Sequence, residues 1–428
     1  YVDLLDAGDL ASDPINTEDI WVSFDFSGRD LSGNIILTRN ADDAVLAGSF
    51  SKYTHYVPFY RYCGSENSGL MEGTWLAMRR TLTLGDTYFR NNKDRLGITS
   101  PEVTLRYGSK IRLYMPSSVV GNGVEGTGGY EGQEGYSLSS KRPFIVTMEI
   151  RDTVSNPLER EGTDVDDFCE LNGGLQIYSK GDDDTPATEV PEDPEDPEHP
   201  YNETSKRWVS ACDSIPQVYV NVRYNPAEPR DQLSFPAPYH VGYEPYVSEA
   251  SVRDIDMQIA EALKKRFHGE GDDYQKYEGV KALEADSVTL DGTAKIWYIG
   301  RFLDGFIFDT NIDEVKKIIY GEVAQKGTAL DYTPSSGGMI QAFYYTIPNL
   351  KFGQWAELIT TSTNAYGSSG KSGSSSSSTS GSSGYSSSYL DYLNYLNYAN
   401  SYYGSGGYYG GYYGGYYGNY YGGYYDSM

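Results

Sequence analysis

The chain has 428 residues, 39% of them hydrophobic, enough to build two or three ordinary cores. Its 34 basic residues face 60 acidic ones, and the formal charge of -26 repels phosphate backbones, which excludes nucleic acid and anionic lipid surfaces as partners. No stretch approaches the ~18 apolar residues of a membrane span.

Alternation of period two marks the strands. In chain order these are "DIWVSFDFSG" (19–28), "SKIRLYMP" (109–116), "FIVTMEI" (144–150), "QVYVNVRY" (217–224), "AKIWYIG" (294–300) and "QWAELIT" (354–360). An insertion-like stretch, "TLGDTYFRNNKDRLGITSPEVT", precedes the second of them. One helix is predicted in "SEASVRDIDMQIAEALKKRFHGEG", where Val252, Ile255, Ile259 and Leu263 share a face, Ser251 caps and Gly269 stops it. The class is therefore α+β and strand-rich.

Three breaks in composition divide the chain. Acidic self-repulsion and proline stiffness make "GDDDTPATEVPEDPEDPEHP" an extended spacer. "GSSGKSGSSSSSTSGSSGYSSS" is a Gly/Ser tether, and a ladder of Tyr and Gly pairs follows it. The expected organisation is an N-terminal segment (1–18), a first domain (19–180), a linker (181–204), a second domain with a helical insertion (205–367), a tether (368–388) and a tail (389–428). The start at Tyr1, with no leader, suggests a processed or trimmed form, and any membrane attachment would come from a residue before it, such as a lipidated cysteine. Cys63, Cys169 and Cys212 form no CxxC. Cys169 and Cys212 flank the linker and are candidates for pairing in an oxidising space, with two buried thiols the alternative. The four histidines are scattered singly, so no metal or cofactor is expected.

The two halves repeat. "DIWVSFDFSGRDLSGNIILTRN" parallels "AKIWYIGRFLDGFIFDTN", and "LRYGSKIRLYMPSSVVGNG" parallels "LKFGQWAELITTSTNAYG". Through "WYIGRFLDGFIFDTN" and "GGMIQAFYYTIPNLKFGQWAELITTSTNAYG", the second half resembles the FKBP type of peptidyl-prolyl isomerase over 295–367. The resemblance implies two domains, each a curved antiparallel sheet over a short helix. It also implies an aromatic cradle for proline built from Tyr298, Phe308, Asp309, Met339, Ile340, Phe343 and Tyr366. Tyr366 would donate a hydrogen bond to the substrate and Asp309 would organise the cradle, while Phe343 stands where the family usually has Trp.

In the first half Phe26 replaces the cradle Tyr, Ile36 and Leu37 replace Phe-Asp, and Val120-Gly121 replace Tyr-Gly, which implies a non-catalytic domain. In the second half Gly367 runs into the tether where the family continues into a last strand. "IPQVYVNVRYNP" (215–226) is expected to pair with the second domain and fill that place. The tail ends in repeated YYGG, so Tyr408, Tyr409, Tyr412, Tyr413, Tyr416 and Tyr417 are candidates for partner binding; a disordered tail is the alternative.

Two readings stand at this point. One is a prolyl isomerase or folding factor of the bacterial cell envelope, in the periplasm or at the outer membrane, acting on protein clients. The other is a non-catalytic FKBP-like subunit of a surface assembly, docked through its tail. Asp-Ser/Thr-apolar triplets such as Asp152-Thr153-Val154 are similar to an O-glycosylation pattern of some bacterial envelope proteins.

Overall fold

The computed structural model describes residues 1–17, 19–67, 70–120, 143–175, 208–212, 215, 217–224, 235–240, 248–268, 287–321, 323 and 325–366. The linker, the tether and the tail, with Tyr408, Tyr409, Tyr412, Tyr413, Tyr416 and Tyr417, lie outside the described residues, as do Gly121 and Gly269. Two compact units are present, the first built on Tyr1–Arg160 and the second on Glu161–Tyr239 and Val247–Gly367. Both mix strands and helices, so the α+β class holds. Among the described residues no helix is long and apolar enough to cross a membrane.

The first unit runs β1 (Val2–Ala7), β2 (Ile20–Arg29), β3 (Ile35–Thr38), α1 (Ala41–Leu46), β4 (Phe59–Cys63), α2 (Glu72–Arg79), β5 (Leu82–Thr83), α3 (Asp86–Leu96), β6 (Glu102–Val103), β7 (Ser109–Met115), α4 (Ser117–Val120) and β8 (Phe144–Val154). Its main sheet has the order β1-β7-β8-β2-β3, with β4 also on β2. β8 is central, joined antiparallel to β2 from Trp21↔Val154 to Arg29↔Ile145 and to β7 from Lys110↔Glu149 to Met115↔Phe144. The period-two pattern of β7 buries Ile111, Leu113 and Met115, and β8 buries Phe144, Val146, Met148 and Ile150 on the same face. Met71, Ala77 and Met78 of the α2 region close this core. β1 comes from the stretch expected to precede the first domain. It is nevertheless an edge strand of this sheet, and α3, from the insertion, secures it through Tyr88 Oη donating to the Leu4 carbonyl at 2.7 Å.

The second unit takes most of α5 (Pro157–Leu171), then β9 (Val209–Ser210), β10 (Val218–Tyr224), α6 (Glu249–His268), β11 (Ala294–Ile296), β12 (Ile299–Arg301), β13 (Ile307–Thr310), α7 (Asp313–Tyr320), β14 (Leu330–Tyr332), α8 (Gln341–Thr346) and β15 (Trp355–Thr360). Its strands form the sets β15-β10-β9, β11-β14 and β12-β13. Val165, Phe168 and Cys169 of α5 pack with Trp208 and Ile359, and Ile259 and Leu263 of α6 pack with Ile307, Ile312 and Val315. Val252, Ile259 and Leu263 of α6 are buried as their spacing demands. The cap is Ser248, whose Oγ accepts from Ser251 N at 3.2 Å, so Ser251 itself lies in the first turn.

Two strand expectations are corrected. The run 294–300 divides into β11 and β12 because the Asn311 side chain inserts between them: its Oδ1 accepts from Tyr298 N at 2.9 Å and its Nδ2 donates to Ile296 O at 3.0 Å. β10 does pair with β15, but not in the place of a last strand. It reproduces β1: Val220 faces Leu358 as Val2 faces Leu113, and the register shift before Tyr224 repeats the shift before Asp6. Its other neighbour is β9, so among the described residues no strand joins β15 to β12.

Candidate functional site

The hairpin β12-β13 carries Phe308 and Asp309 and directly follows Tyr298, and β2-β3 of the first unit follows the same local plan. Gly300 pairs with Asp309 and Gly28 with Leu37, each with a register shift at the arginine that follows. Beyond the hairpin the hydroxyls of Thr310 and Thr38 accept from the second backbone N–H downstream, at 3.2 and 2.9 Å, and lead into α7 and α1. Tyr298 and Phe26 therefore hold matching positions, as do Phe308 and Ile36.

In the second unit Tyr298 Oη donates to Asp309 Oδ2 at 2.8 Å. Asp309 is only 8% exposed, so this bond offsets part of the cost of burying a carboxylate. Thr310 Oγ1 donates to the Tyr298 carbonyl at 2.8 Å and fixes the backbone from which the phenol projects. Beside this pair the Phe308 ring has Tyr366 edge-on at 6.2 Å and Phe302 at 4.9 Å, and Phe302 stacks on Phe306 at 6.2 Å. The Phe308 ring also lies over Gly300, where a Cβ would stand 2.8 Å from Cζ. Tyr298, Phe302, Phe306, Phe308 and Tyr366 are all half-buried, so each leaves part of its side chain to solvent.

Tyr298, Phe308, Asp309 and Tyr366 are thus brought together. Met339 and Ile340 lie at the approach to α8, with Ile340 at its N-cap, and both are half-buried. Phe343, inside α8, meets Tyr332 edge-on at 5.9 Å. Sequence reasoning missed Phe302 and Phe306, and the signal was present: they flank Gly305, whose φ of 89° makes the tight turn that Phe302 N closes on Phe306 O at 2.9 Å. It also missed the ion pair of Arg301 with Asp256 of α6, whose side chains are 16% and 10% exposed, and the Phe235 ring 4.7 Å from the guanidinium.

At the matching positions of the first unit, Phe26, Ile36 and Leu37 are 1%, 2% and 3% exposed and belong to the core. They present neither hydroxyl nor carboxylate. No disulfide joins Cys169 to Cys212, and Cys63 and Cys169 are buried while Cys212 is half-buried. Burial pushes the Cys63 thiol up to about 12 and raises that of Cys169 as well, so both lack the thiolate that nucleophilic chemistry needs. Among the described residues no three His, Cys, Asp or Glu side chains gather as a metal site requires.

No family model matches the chain, and no curated protein matches it. Solved structures similar to it include FkpA from Escherichia coli, 12% identical with a TM-score of 0.21, over 36% of this chain and 47% of that one. The chain therefore spans about half of the FkpA chain. The three FKBP domains of wheat FKBP73 are 11% identical with a TM-score of 0.21, over 87% of this chain and 85% of that one. The structural resemblance to FKBP domains is weak.

Proposed function

We propose that the second unit is an FKBP-like domain whose aromatic bowl binds Xaa-Pro segments of protein clients and speeds their cis-trans isomerisation. The observation that carries this reading is the Tyr298 to Asp309 hydrogen bond at the wall of a half-exposed aromatic cluster. Rotation about the amide is opposed by ~18 to 20 kcal/mol of lost resonance. Catalysis needs a site that receives the apolar pyrrolidine ring and fits the twisted amide better than the planar one. Phe302, Phe308 and Tyr366 supply the apolar wall. Tyr366 would donate to the client carbonyl, and Asp309, held by Tyr298, would orient the bowl. Met339, Ile340 and Phe343 would form its floor, less filled than with Trp.

In this reading the first unit is an FKBP-like domain that has lost its chemistry, since hydrocarbon stands where the hydroxyl and carboxylate would be. It supports the second unit or its clients. The proposed site of action is the cell envelope, with the tyrosine ladder available to a protein partner. The non-catalytic reading is favoured by one feature: among the described residues no strand connects β15 to β12, which bears on how firmly the bowl is walled.

A prolyl-peptide isomerisation assay on the full chain tests this. Acceleration over buffer, reduced by Tyr366→Phe and by Asp309→Ala, is the expected result. No acceleration by the unmodified chain removes the enzyme reading; if prolyl peptides still bind in the bowl, the non-catalytic one stands.

A further inference from the structure

Tyr366 lies beyond the end of β15, on a turn that does not cap itself. The chain leaves β15 at Thr360 and makes one 3-10 turn over Ser362–Asn364, closed by Ala365 N donating to Ser362 O at 3.0 Å. Thr361 sits at the N-cap of that turn, yet its side chain makes no capping bond. Thr361 and Ser362 are each 6% exposed, so the N–H of Ser362 needs an acceptor. It finds one 201 positions away in the sequence, in Glu161 of α5. One carboxylate oxygen accepts from Ser362 N at 2.8 Å and the other from Ser362 Oγ at 2.7 Å.

α5 is itself held against the sheet that ends in this turn. Val165, Phe168 and Cys169 pack with Trp208 and with Ile359 of β15, and Asp166 Oδ1 accepts from Tyr219 Oη of β10 at 3.0 Å. The carboxylate therefore projects from a helix whose place is set by a core. In the first unit the turn after β7 is anchored by burial: it ends in Val120, 5% exposed and part of the core. Tyr366 is half-buried with its ring edge-on to Phe308, so it lacks that anchor, and the polar tie through Ser362 takes its place.

We propose that Glu161 is a positioning residue for the bowl: it caps the turn that presents Tyr366 and so sets where the phenol meets a bound prolyl segment. This rests on the bowl being a prolyl-peptide site. Glu161 touches no substrate in this scheme and acts only through Ser362 and the turn.

Isomerisation kinetics of the full chain test it, with urea unfolding of the second unit beside them. Glu161→Ala should lower kcat/KM for a prolyl peptide by about tenfold or more per folded molecule, the scale of a small misplacement. Glu161→Gln should retain most of the rate, because its amide carbonyl can accept from Ser362 N while its amide N–H donates to Ser362 Oγ. Ser362→Ala keeps the backbone bond and should give a smaller loss than Glu161→Ala. Combined with Tyr366→Phe, Glu161→Ala should cost much less than the product of the two losses, since both act through one side chain. Full kcat/KM in Glu161→Ala and Ser362→Ala overturns the proposal, even where the urea midpoint falls. So does Glu161→Gln as damaging as Glu161→Ala, or a loss that multiplies with that of Tyr366→Phe. The comparison of Ser362→Ala with Glu161→Gln decides even where Glu161→Ala does not fold. If Tyr366→Phe slows the reaction and Glu161→Ala does not, this proposal falls while the prolyl-peptide reading stands. A parent chain that neither binds nor turns over prolyl peptides removes both.

Discussion

Gly300 stands opposite Asp309 in the β12-β13 pair, beneath the ring of Phe308. A methyl group there meets the ring at 2.8 Å and has to displace it from its place between Phe302 and Tyr366. Gly300→Ala should therefore weaken proline-peptide binding by about tenfold, some 1.4 kcal/mol. The fluorescence-monitored unfolding of the first unit should not change. Unaltered peptide affinity would mean that the Phe308 ring is not part of the binding wall.

The matching position of the first unit provides the converse test. Leu37 is 3% exposed, and Leu37→Asp would bury a carboxylate without a donor, at a cost of about 3 kcal/mol or more. Adding Phe26→Tyr recreates the phenol that Tyr298 supplies to Asp309. The double variant should recover about 1 to 2 kcal/mol relative to the sum of the single ones, read from urea unfolding as a double-mutant cycle. Strict additivity would show that the two hairpins do not place these side chains alike.

Strand alternation and the resemblance of the "YIG" and "FDTN" blocks made the hairpin strands legible and set Tyr298 and Asp309 near each other, because both depend on local register, but not the hydrogen bond between them. What could not be read depends on distant partners. The break at Trp297 comes from Asn311, in the bend that follows β13, and the ion pair of Arg301 needs α6. β10 looked like a last strand because alternation states only that a segment pairs. Its place beside β15 was settled by a register shift, a property of two strands together.

Arg301 and Asp256 tie the back of the hairpin to α6 with both side chains largely withdrawn from water. Removing one partner leaves the other charged and buried, so Asp256→Ala should cost about 3 to 5 kcal/mol in the unfolding of the second unit. Replacing both, as Asp256→Leu with Arg301→Met, should cost much less. Chemical denaturation of the three variants checks this, and an equal loss in the double variant would show that packing on Phe235 matters more than charge.

Cys63 is fully buried in the first unit, and desolvation is the largest cause of its raised pKa, opposed by Arg79 and assisted by Asp19. In the unfolded chain the thiol ionises near 9.0; in the fold it keeps its proton to about 12. Between those values the folded state binds more protons than the unfolded one, so stability falls as pH rises, by about 1.4 kcal/mol per pH unit for this group. Below pH 9 the contribution is fully present. Urea midpoints of the first unit measured from pH 8 to pH 10 should therefore fall more steeply in the parent than in Cys63→Ala, whose baseline is lower but flatter. Consistent with that burial, a thiol reagent at pH 8 should modify Cys212 first and reach Cys63 and Cys169 only on unfolding. Rapid native labelling of Cys63 would show that the β2-β4 edge opens far more readily than its packing implies.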